Sequence, residues 1–116
     1  MFDDEALMDM VTAVSGSGPA YFFHFAEAMI QAAEDGGMTT EQAKHLVTQT
    51  MLGAATMLNK SPISAAELRK AVTSPGGTTA AALECMYEYN LADVLAKAID
   101  AAEKRGKAMS NENDLN

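Results

Sequence analysis

Ser74-Pro75-Gly76-Gly77-Thr78-Thr79 is the stretch whose residue types and spacing point most directly to chemistry. Two adjacent glycines let the backbone adopt dihedrals closed to other residues and come close to a ligand. A helix that starts at the threonines turns its free N–H groups toward the same place, and its macrodipole favours an anion there. Ser74, Thr78 and Thr79 add hydroxyls. The loop has no charged side chain, so it suits a small carboxylate better than a polyphosphate. A plain helix–loop–helix joint is the alternative, since proline-glycine turns are common.

Gly16-Ser17-Gly18 invites a dinucleotide-fingerprint reading, which the residues reject. Tyr21 stands where a third glycine belongs, Pro19 lies inside the motif, and no strand precedes it. What remains is a tight backbone turn at a helix start, facing a ligand or simply packed. His24 and Glu27 lie three apart, but a metal site needs three or four ligands and no third is evident, so no metal is expected. Flanking aromatics make His24 a packed or partly exposed histidine, and His45 falls on a polar, solvated face. Cys85 is expected to be a small core residue, with nothing nearby to lower its pKa. As the sole cysteine it excludes an intramolecular disulfide and any zinc site built on several cysteines. No Ser-His-Asp arrangement can be assembled. The nine methionines suit core and interface filling.

The elements that must carry these residues are helices. The chain has 22 Ala against 5 Val and 3 Ile; alanine favours helix and β-branched residues favour strands. A first helix is expected from Asp3 to about Thr12, with Leu7, Met8 and Val11 on one face. After the Ser15–Pro19 break a second runs from Pro19 to about Glu34, where Gly36-Gly37 stops it. Thr39 and Gln42 form a capping box for a third helix beginning near Thr40. The second half of that helix, Thr50 to Leu58, has no charge on any face. Such a helix must be buried all round, which a chain of 116 residues cannot easily arrange, so a partner chain is implied. Ser64 and Glu67 repeat the capping-box pattern for a short fourth helix through Val72. Thr78 or Thr79 is expected to cap a fifth, which runs to about Tyr89 before Asn90 punctuates. The sixth carries Leu91, Val94, Leu95, Ala98, Ile99 and Ala102 as one apolar stripe. Its other face pairs Asp93 with Lys97, Asp100 with Lys104 and Glu103 with Lys107. The polar residues 110–116 are expected to fray.

A chain of 116 residues reads as one domain, large enough to bury a core. Sixteen acids against eight bases, a net charge of −8, argue against nucleic acid and anionic membranes as partners. No apolar run approaches the ~20 residues of a membrane span. Phe2-Asp3-Asp4-Glu5 is acidic where a signal peptide is basic. A soluble, cytoplasmic-type, all-α bundle of about six helices is the expectation.

Four segments resemble one family in order and spacing. Thr12-Ala13-Val14-Ser15-Gly16-Ser17-Gly18-Pro19-Ala20-Tyr21 is similar to the opening of the C-terminal domain of pyrroline-5-carboxylate reductases. Glu34-Asp35-Gly36-Gly37 follows, then Gln49-Thr50 with Gly53-Ala54-Ala55. Val72-Thr73-Ser74-Pro75-Gly76-Gly77-Thr78-Thr79 resembles the family's signature loop. The likeness runs from about Asp4 to Met109. One departure is local: where the family often has a His-Pro pair before the leucine matched by Leu68, this chain reads Ser64-Ala65-Ala66.

The resemblance implies an oxidoreductase of proline biosynthesis that reduces the C=N bond of pyrroline-5-carboxylate to L-proline with NADPH or NADH. It implies an intertwined homodimer, like the 6-phosphogluconate dehydrogenase C-terminal domain, and possible rings of dimers. Residues 1–109 would be the dimerisation and substrate-binding domain. No strand–glycine-loop–helix unit occurs in these residues, so the family's N-terminal Rossmann domain is expected not to be among them. The chain alone is therefore expected to bind no cofactor and to be inactive. By resemblance, Ser74, Gly76, Gly77 and Thr78 hold the substrate carboxylate. Thr79 lies near the ring nitrogen as the catalytic hydroxyl, and Ser15 and Ser17 face the nicotinamide side. Two rivals stand beside this reading: a purely structural oligomerisation domain, and a related dehydrogenase acting on another small acid.

Overall fold

The computed structural model describes residues 5–114, and their side chains over residues 7–112. Asp3, the expected first residue of the first helix, lies outside that range. The described residues form six α-helices: α1 (Glu5–Val11), α2 (Gly18–Asp35), α3 (Thr40–Lys60), α4 (Ala65–Ala71), α5 (Thr78–Glu88) and α6 (Leu91–Asp114). A π-helical turn (Thr12–Gly16) joins α1 to α2. There is no strand among the described residues. The all-α expectation and its helix count hold.

Local chemistry explains most boundaries. Gly37 ends α2 with a φ of +108°, a left-handed conformation that glycine adopts without strain. Its N–H bonds Glu34 C=O at 3.0 Å and Met38 N–H bonds Ala33 C=O at 3.1 Å, the Schellman pattern. Thr39 Oγ1 accepts from Gln42 N–H while Gln42 Oε1 accepts from Thr39 N–H, each at 3.1 Å, so the capping box of α3 is complete. At α4 only half of the expected box is made: Ser64 Oγ accepts from Glu67 N–H at 3.1 Å. Asn90, with φ of 56°, turns the chain between α5 and α6.

Two boundaries differ from expectation. The first helical stretch, expected to end at about Thr12, is prolonged as a π turn to Gly16, so the expected break narrows to a bend at Ser17 and α2 starts at Gly18, beside the expected Pro19. The helix α6 also runs on to Asp114, through residues expected to fray, since neither glycine nor proline stops it there. The three expected acid–lysine pairs on α6 form, at 3.0, 2.8 and 3.9 Å.

The chain divides into two compact units, with the divisions falling inside α2 and between α5 and α6. One unit holds α1, the π turn, the start of α2 and all of α6. In it α1, the π turn and α6 pack against one another, and Ala13 is buried. The approach is close at Gly106 on α6, where a Cβ would lie 3.1 Å from an Asp9 carboxylate oxygen. The expected α1 face is only partly covered: Val11 is half-buried, while Leu7 and Met8 are exposed. On α6, Leu91, Ile99 and Ala102 are half-buried but Val94 and Leu95 are exposed.

The other unit, His24–Glu88, holds the rest of α2 with α3, α4 and α5. Its buried apolar residues are Ala43 and Val47, on the first half of α3. The second half of α3, expected to be buried all round, is open: Leu52 is 60% and Met57 52% exposed. Cys85 is exposed rather than in the core. The half-buried positions of α5 are Ala80, Leu83 and Met86, at helical spacing, and Cys85 points away from that stripe.

Candidate functional site

The loop between α4 and α5 is built from backbone chemistry. At the end of α4, Val72 N–H bonds Leu68 C=O at 3.2 Å and Thr73 N–H bonds Lys70 C=O at 3.1 Å. The Thr73 hydroxyl donates to Arg69 C=O at 2.5 Å. Ser74 to Gly77 then form a turn closed by Gly77 N–H to Ser74 C=O at 3.1 Å. Gly76 has φ of +71°. Proline at the second position and a left-handed glycine at the third are the requirements of a type II turn. A Cβ on Gly77 would lie 3.3 Å from Ser74 O, so the turn is tight on both glycines.

This turn sets the start of α5. Gly77 C=O accepts from Ala81 N–H at 3.2 Å, the first bond of the helix, so Gly77 is the cap. The expectation of a threonine cap is corrected: Thr78 and Thr79 are the first two helical residues. Their N–H groups, with that of Ala80, precede the first intrahelical donor. The Ser74, Thr78 and Thr79 side chains are exposed. Because glycine caps the helix, no threonine hydroxyl is spent on it. The loop thus presents backbone donors, hydroxyls and the positive end of a helix dipole at one place, a setting for a carboxylate.

Arg69 adds something the sequence did not disclose. Its guanidinium lies over the Tyr87 ring, 6.0 Å from the centroid, and so links α4 to α5 across the loop. Nothing in the spacing of these two residues marks them as partners. An apolar groove of about 250 Å³ beside α4 is lined by Met57, Leu58, Leu68 and Val72 among others.

Ser15 and Ser17 belong to the other compact unit. Ser15 is exposed in the π turn, where it lines an apolar groove of about 420 Å³ with Leu7, Met10, Val11 and Val14. Ser17 is half-buried, and its N–H bonds Thr12 C=O at 2.9 Å. The structure therefore brings Ser74, Gly76, Gly77, Thr78 and Thr79 together in one loop and carries the two serines in a separate unit. The described residues all lie in helices or short connections, and among them no glycine loop follows a strand.

His24 is exposed, and its Nδ1 lies 2.6 Å from Glu27 Oε1. Among the described residues no three His, Cys, Asp or Glu side chains cluster to hold a metal. No described helix is long and apolar enough to cross a membrane.

Small cores and open apolar helix faces define a helical assembly domain. Residues 5–109 match the pyrroline-5-carboxylate reductase dimerisation family, and the chain belongs to it. A pyrroline-5-carboxylate reductase of Pseudomonas aeruginosa is 46% identical over 110 residues, 95% of this chain and 40% of that protein. Pyrroline-5-carboxylate reductase 2 of Bacillus subtilis is 43% identical, over 88% of this chain and 37% of that protein. Among solved structures, the Coxiella burnetii pyrroline-5-carboxylate reductase superposes with a TM-score of 0.88 at 44% identity, covering 91% of this chain and 39% of that one. The Plasmodium falciparum pyrroline carboxylate reductase, solved with NADP bound, gives 0.89 at 38% identity, over 91% and 42%. The chain thus spans about two fifths of the length of the curated relatives it matches.

Proposed function

We propose that this chain is the dimerisation and substrate-binding part of a cytoplasmic pyrroline-5-carboxylate reductase, with the stretch to Met109 acting as one domain. The enzyme reduces the C=N bond of 1-pyrroline-5-carboxylate to give L-proline, using NADPH or NADH held by another part of the protein. Two copies intertwine through α2 and α3, and dimers can assemble into rings. The observation that carries the reading is the loop: a type II turn that sets Gly77 as cap and leaves the α5 donors and the threonine hydroxyls unspent.

In this reading the backbone around Ser74, Gly76, Gly77 and Thr78 binds the substrate carboxylate. The Thr79 hydroxyl orients the ring nitrogen and passes a proton to it through water, since a hydroxyl is a poor acid on its own. Ser15 and Ser17 touch the nicotinamide side. No step of hydride transfer is assigned to these residues.

The test is a steady-state assay of NADPH-dependent proline formation. The full-length enzyme is active and the pure 116-residue chain is not; proline formation by the pure chain overturns the division of labour. A purely dimerising role is the second reading, favoured by how little of either unit is buried. Titration with L-proline separates the two. Shifts of the Gly76 and Gly77 amide resonances support substrate binding, and their absence at saturating proline supports the structural role.

A further inference from the structure

We propose that Tyr21 is a positioning residue, whose hydroxyl holds the π turn in the shape that presents Ser15 and Ser17. The inference rests on the reading of those serines as cofactor-side contacts.

Three observations carry it. The turn departs from α-helical geometry: Ser17 N–H reaches Thr12 C=O, five residues back, at 2.9 Å. That bond takes the donor an α-helix would give to Ala13 C=O. Ala13 is 1% exposed, so water cannot readily serve its carbonyl instead. The Tyr21 hydroxyl does, at 2.6 Å, from the first turns of α2. Pro19 has no N–H to offer Ser15 C=O in an α-helical register or Val14 C=O in a π register, so the ladder cannot simply slide to a neighbouring solution. A π turn is rare and recurs at functional sites. Here it changes where the backbone points over Val14 to Ser17. Ser15 lines the apolar groove beside it and Ser17 sits half-buried at its end. Tyr21 acts on the serines through Ala13.

The test is Tyr21→Phe in the full-length enzyme, beside Ser15→Ala and Ser17→Ala. Removing the hydroxyl leaves the dimer mass and the KM for pyrroline-5-carboxylate unchanged. The KM for NADPH rises about fivefold, the loss expected for one hydrogen bond acting on presentation. Amide exchange at Ser17 quickens while α3 stays protected. A general loss of stability would not split the two KM values in this way. If the serine variants raise the KM for NADPH and Tyr21→Phe does not, the proposal is overturned and the cofactor-side reading stands. If none of the three changes it, that reading fails and the proposal with it. Should Tyr21→Phe not assemble, Pro19→Ala asks the same question by restoring an N–H that favours the α-helical register. An unchanged KM for NADPH in that variant also overturns the proposal.

Discussion

At the scale of single residues, Gly76 and Thr79 carry the sharpest expectations. With φ of +71°, Gly76 holds a conformation that costs an alanine about 1–2 kcal/mol. Gly76→Ala is expected to lower stability by that amount and to raise the KM for pyrroline-5-carboxylate, because the amides around it lose their alignment. Thermal unfolding and steady-state kinetics of the full-length enzyme read the two effects. Thr79→Ala is expected to lower kcat by about a hundredfold, within the usual range for a proton-transfer group, while the dimer persists. Unchanged kcat removes Thr79 from the mechanism. The loop was legible because proline, glycine and threonine each carry a local rule. The choice of cap was not: glycine and threonine both suit the position, and the type II turn through Gly76 decided between them.

At the scale of elements, short helices depend on their caps. The seven-residue α4 is marginal without tertiary support, so Ser64→Ala is expected to cost about 1 kcal/mol. Faster amide exchange confined to α4 would register it. On α6 the Lys104 pKa is raised above its ordinary value of 10.5, first by the hydrogen bond to Asp100 and then by that carboxylate's charge. A raised lysine pKa stabilises fully below the unfolded value and is lost as pH climbs through the folded one. The wild-type chain is therefore expected to lose more helical circular dichroism than Asp100→Asn between pH 9 and about pH 11. Equal losses would show that the pair does not support the helix. The acid–lysine spacing made these contacts readable in advance, since i, i+4 neighbours meet on any helix. The π turn was not readable. Within it the Ala13 carbonyl is met by the Tyr21 hydroxyl from eight residues on, a contact that no periodic rule supplies.

At the scale of the whole molecule, exposed apolar surface dominates. Leu52, Met57 and Leu58 on α3, and Phe22 and Phe23 on α2, all lie open. Light scattering on a sizing column is expected to give a dimer at low micromolar concentration. Leu52→Lys is expected to weaken that dimer by about 3 kcal/mol or more, roughly a hundredfold in Kd, because an unpaired ammonium would be buried. A monomer in the unsubstituted chain would mean that α3 needs no cover, and any site built across two copies would then be withdrawn.

Helix content, most helix ends, the α6 ion pairs and the glycine loop follow from the sequence alone, because each rests on interactions within a few residues. The uncharged second half of α3 also pointed beyond one chain, since a helix without a polar face has no side to give to water. Tertiary structure alone decided the rest. It set which side chains are covered, left Cys85 and much of the apolar stripe of α6 open, and bent the Thr12–Gly16 segment into a π turn. Burial and non-helical hydrogen bonds depend on residues distant in sequence, and a pattern of neighbours carries no record of which distant surface arrives.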